Sequence, residues 1–217
     1  MSSLQRAMSC LRNFDESPPQ EEAISFCLST LSRLINSNFT VNTDTAVGMC
    51  SAQFGGSTMV TGSACACLGS IACVAGGIQS IARSGMIATV QDAAHAKGQA
   101  GRIGASGMAL EASKALEIIS EQALSQAVSL IGTEGGAKAI ASILSDIDDP
   151  RALATTLEQI CQKEGGLNAL VDAMGALGPP DFGGKAILIQ AIIKAIIDQR
   201  SAEIPSILTV QSIDQLA

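Results

Sequence analysis

Thr133 to Ile147 reads TEGGAKAIASILSDI and Lys163 to Leu177 reads KEGGLNALVDAMGAL, two stretches that match at a constant thirty-residue offset. Across that shift Ala139 falls on Ala169, Ile140 on Leu170, Leu144 on Met174, Ile147 on Leu177 and, further along, Leu157 on Ile187. Apolar positions answer apolar positions, and their three- and four-residue spacing is that of one helix face. A proline turn follows each stretch, at Pro150 and Pro180, and a second helix is predicted beyond it, over Arg151 to Lys163 and Lys185 to Arg200. The unit is therefore an αα-hairpin present twice. One hairpin cannot bury its own apolar face, so neighbours must stack on it.

At EGGLNALVDAM, the proline turn, KAILIQAIIKAI and a further onset at Glu203-Ile204-Pro205-Ser206-Ile207-Leu208, the chain resembles armadillo and HEAT repeats. The resemblance is local to the C-terminal third, its spacing is shorter than those families' period, and it carries no asparagine ladder. It implies stacked helix pairs that offer a surface to another protein.

Upstream the same small-residue helical character continues. Residues 84–131 are Ala-rich, loosened around Gly98, Gly101, Gly104 and Gly107, since an interior glycine costs about 1 kcal/mol relative to alanine. After Gly107, Ala112, Leu116, Ile119, Ala123 and Val128 fall near one face, Lys114 and Glu117 stand three apart off it, and Gly132 is a stop. From Thr45 to Ala82 there is one formally uncharged run, and Met59 to Ile78, MVTGSACACLGSIACVAGGI, has the length of a bilayer-crossing helix diluted by glycine and serine. Gly62, Ala66, Gly69, Cys73 and Gly77 recur at the spacing that lets two helix backbones approach, in lipid or in a core. Arg83 stands just beyond the apolar run. Nearer the start, Ser17, Pro18-Pro19 and Gln20-Glu21-Glu22 open a helix to about Ile35 whose stripe is Ile24, Leu28, Leu31 and Ile35; Thr40 to Thr45 reads as a linker or short extended piece.

Three regions follow: 1–44, a polar segment with one amphipathic helix; 45–131, an uncharged, small-residue-rich helical region; and 132–217, the αα-repeat region. The fold class is all-α, a helical bundle with a duplicated αα-hairpin. Trp and Tyr are absent, Phe appears five times, and alternating strands with Asn-Gly turns are lacking, which speaks against a β fold.

A net charge of −7 repels phosphate backbones and no basic cluster interleaves with aromatics, so nucleic acid is not an expected partner. Seven cysteines, an odd number, lie in apolar stretches and fit a reducing, cytoplasmic setting or export without a cleaved signal. Cys65-Ala66-Cys67 with Cys73 lacks a second pair or a nearby histidine, so these thiols read as small core residues rather than metal ligands. His95 is the only histidine, and Asp92, three residues earlier, is its nearest partner along a helix. Gly98 to Gly104 follows no strand and lacks the phosphate-loop order. Asp146, Asp148, Asp149 and Asp181 read as helix-flanking turn residues.

No catalytic, cofactor-binding or metal-ligating residue is therefore assigned. The expectation is a non-enzymatic interaction or structural protein that works through a protein partner or self-association. The alternative is a membrane-active, effector-like protein that inserts residues 59–90.

Overall fold

The computed structural model describes residues 21–96, 105–166 and 168–170, and among them every regular element is an α-helix. In chain order these are α1 Glu21–Asn36, α2 Thr43–Ser51, α3 Thr58–Ala72, α4 Gly77–Arg83, α5 Met86–His95, α6 Ala105–Ser125, α7 Ala127–Ile131, α8 Gly136–Ser145 and α9 Pro150–Cys161.

Local chemistry explains most boundaries. Glu21 and Glu22 stand in the first turn of α1 and Arg33 in the last, the charge order its dipole favours. The stripe Ile24, Leu28, Leu31 and Ile35 is buried as expected. Asn38, left-handed at φ 63°, turns the chain out of α1. The irregular stretch that follows is shorter than expected, because Asn42 caps α2 by accepting from the Thr45 amide at 2.9 Å. Ser57 caps α3, and Asp149 caps α9 by accepting from the Arg151 amide at 3.0 Å, with Pro150 as first helical residue.

The helices form two layers around one core whose buried residues run from Ile24 to Leu170. In the first layer α3 lies between α1 and α6; in the second, α2 packs on α4, and both α4 and α5 pack on α8. The chain passes back and forth between layers. Ser25 bonds Ser63 and Ser32 bonds Ser70, a constant separation of 38 residues, so α1 and α3 run parallel. Gly62 faces Met108 and Gly69 faces Ala115, so α6 runs parallel to them. Lys163 donates to the Leu124 and Ser125 carbonyls at 3.3 and 2.7 Å, which brings the end of α9 beside the end of α6.

One corner recurs where the chain leaves a helix. At Ile71–Gly77, Leu130–Gly136 and Ile160–Gly166 the first carbonyl accepts from the amide three residues on, at 3.1, 2.9 and 3.2 Å. The amide of the closing glycine then donates to the carbonyl three residues before it, at 2.9, 3.0 and 2.9 Å. The first glycine of each pair is left-handed, with φ 77°, 75° and 76°. A Cβ on the second would lie 1.8, 1.7 and 1.8 Å from the first carbonyl oxygen. Both positions therefore require glycine, for two separate reasons.

This corner corrects the reading of Met59 to Ile78 as one span. The run divides into α3 and α4 at Gly76, and among the described residues no helix is long and apolar enough to cross a membrane. Of the repeat core, Ile140, Leu144, Leu157 and Leu170 are buried and Ile147 is half-buried. Met174, Leu177 and Ile187, and with them the second hairpin beyond Leu170, lie outside the described residues.

Candidate interaction surface

The parallel layer presents an outer face, and α3 forms its midline. Helical spacing gives α3 three edges: Ser63 and Ser70 toward α1, Gly62 and Gly69 toward α6, and Met59, Ala66 and Cys73 outward. On the α1 edge the two serine pairs are each 2.6 Å apart, so hydroxyls that helices tolerate poorly satisfy one another between helices. On the α6 edge the absence of side chains matters instead. A Cβ on Gly62 would stand 3.4 Å from the Met108 Cα, and one on Gly69 would stand 3.3 Å from the Ala115 Cα.

Between these edges runs a groove of about 460 Å³ lined by Ser29, Thr58, Met59, Gly62, Ser63, Ala66, Gly107, Met108, Leu110 and Glu111. Two large apolar side chains stand exposed on its rim: Met59 is 44% and Leu110 56% exposed. Phe26 (72%) lies opposite the core stripe of α1, next to Ser29, and Ile118 (37%) reaches Gly69 from α6. Four of the five large exposed apolar residues described thus share one face, the fifth being Phe39 after α1.

The helix-contact residues expected from sequence divide accordingly. Gly62 and Gly69 make the close approach, to α6; Ala66 lines the groove; Cys73 is exposed at the end of α3. Gly77 is not on that helix at all, since it closes the corner and opens α4.

The buried thiols and the histidine lie elsewhere. Cys50, Cys65 and Cys67 are buried, and no disulfide joins the described cysteines. A hydrogen bond that the Cys50 thiol donates to Cys67, together with burial, raises Cys50 well above its ordinary range. Burial pushes Cys65 up to about 12, and burial also raises Cys161. Thiols held protonated in this way are poor nucleophiles and behave as small apolar residues.

His95 pairs with Asp146, the C-cap residue of α8, at 3.3 Å rather than with Asp92, because the end of α5 meets the end of α8. One turn earlier Gln91 donates to the Ser142 carbonyl at 3.1 Å and accepts from the Ser142 hydroxyl. Histidine and aspartate here clasp two helices. Lys114 likewise pairs with Glu111, at 2.9 Å, and not with Glu117. Among the described residues no group of three or more His, Cys, Asp or Glu is placed to hold a metal ion. Residues 98–104 and Asp181 lie outside the described residues.

Sequence reasoning missed Phe26, Met59, Leu110 and Ile118 as surface residues. A signal existed for two of them, since Phe26 falls opposite the Ile24 stripe and Leu110 opposite Ala112 and Ile119. No protein-family model, no curated protein and no solved structure matches the chain.

Proposed function

We propose that the chain is a non-enzymatic helical interaction protein that works by contact between its outer face and another protein chain. The observation that carries this reading is the gathering of Phe26, Met59, Leu110 and Ile118 on one face of the α1–α3–α6 layer, where Met59 and Leu110 line a groove. Exposed apolar residues scattered singly need no explanation; a set that shares one face beside a concavity marks an interaction site. The stacking of parallel helices and the recurring glycine corner support the αα-repeat reading, including the duplicated hairpin of the C-terminal third. Repeat architectures of this kind act through extended surfaces rather than reactive groups.

A photo-cross-linking residue at position 110, compared with the same residue at exposed position 155 on α9, tests this in cells. The expected result is discrete adducts from position 110 alone, identified by mass spectrometry as protein conjugates. Equal or absent adducts from the two positions overturn the reading. The membrane-active alternative would appear in the same cells as chain retained in the pellet after an alkaline wash.

A further inference from the structure

We infer that the groove over α3 docks a basic amphipathic helix of a partner protein, an inference that rests on the protein-contact reading above and names its site and ligand class. The floor is Gly62, Ser63 and Ala66, so a visiting helix approaches the α3 backbone without meeting large side chains. Met59 and Leu110 rise at its edges and supply apolar contact that the chain's own core does not use. The trough follows α3 from Thr58 to Ala66, about two turns of helix or about 12 Å at 1.5 Å per residue, the footprint of two turns of a partner helix.

Charge selects the occupant. Along α1, Glu22 and Arg33 share the outward side with Phe26 and Ser29 at three- and four-residue spacing. Along α6, Lys114, Glu117 and Glu121 follow Leu110 at the same spacing, and Glu111 faces Gly62 across the trough. On the outer sides of α1 and α6, Lys114 pairs with Glu111 at 2.9 Å, which leaves Glu22, Glu117 and Glu121 against Arg33. A helix with Leu, Ile or Met on one side and Lys or Arg on its flanks meets both features, apolar to apolar and cation to carboxylate. A second copy docking through the same face would set these carboxylates against their own kind, and anionic lipid headgroups would meet the same repulsion.

The test titrates the full chain with an 18-residue peptide of leucine and lysine, leucines at three- and four-residue spacing, and with its leucine and glutamate counterpart. Vesicles of phosphatidylcholine and phosphatidylserine form a third arm. The lysine peptide binds one to one, the glutamate peptide and the vesicles do not. Leu110→Glu weakens binding at least tenfold although it adds negative charge, which would strengthen a merely electrostatic association. Glu117→Lys with Glu121→Lys weakens it severalfold, and circular dichroism verifies that both variants keep their helix content. Binding of both peptides alike, unchanged or tighter binding by Leu110→Glu, flotation with vesicles, or no binding of the lysine peptide overturns the inference. If the peptide fails while position 110 still gives protein adducts, the docking inference falls and the broader reading stands; if both fail, both fall.

Discussion

The two edges of α3 solve the same packing problem by opposite means. Toward α1 it presents hydroxyls, Ser63 and Ser70, which pair with Ser25 and Ser32 across the helix boundary. Toward α6 it presents nothing, and Gly62 and Gly69 admit the α6 backbone. A hydrogen-bonded pair fixes register, because two hydroxyls must meet at one height; a glycine seam fixes distance, because the gain is dispersion contact between closely placed backbones. The α1 edge should therefore lose specificity when altered, and the α6 edge should lose stability.

Breaking the corners affects both edges at once. Gly136→Ala places a Cβ where the Leu130 carbonyl oxygen stands, 1.7 Å away, and the corner must open to admit it. The expected loss is about 3 kcal/mol or more, read by urea unfolding, and Gly77→Ala behaves alike. Next, Gly69→Leu forces α3 from α6 and costs about 1–3 kcal/mol, whereas the same change at Gly107, which has open space around it, costs far less.

A pH scan probes the buried thiols between these interfaces. The folded chain keeps the Cys65 proton up to about pH 12, while the unfolded chain releases it near the ordinary value of 9.0. The contribution is whole below pH 9 and is lost as pH climbs toward 12, because deprotonation then favours the unfolded state. Thermal unfolding of Cys65→Ala against the parent isolates it, and the parent alone should show the steeper alkaline decline attributable to this residue. Smallest is Ser70→Ala, expected to cost about 1 kcal/mol. Ser32→Ala added to it should cost little more, since the double change removes both unsatisfied groups; a double-mutant cycle checks this.

The parts of this fold legible in the sequence were those written as local periodicity. The Ile24 to Ile35 stripe, the caps around Pro150 and the thirty-residue echo of Gly135-Gly136 in Gly165-Gly166 each need only neighbouring residues to be seen. The third corner, at Gly76-Gly77, was hidden because its surroundings look like a continuous apolar span. α2 escaped notice because nine residues without a strong stripe carry little pattern. Pairings across space were not legible: nothing in the order of residues says that His95 finds Asp146 rather than Asp92, or that Ser25 meets Ser63. The groove belongs to the same class, since Met59 and Leu110 share a face only once α3 and α6 lie side by side.

The proposed contact function requires an outer face that is separable from the packing beneath it. Its most direct test is the Met59→Glu, Leu110→Glu double variant, examined for melting temperature and for the mass of its complexes on the same preparation. A melting temperature within about 2 °C of the parent, as surface changes near 0.5 kcal/mol imply, together with loss of the partner-bound species, is the predicted result. A large fall in melting temperature with the complex intact would contradict it.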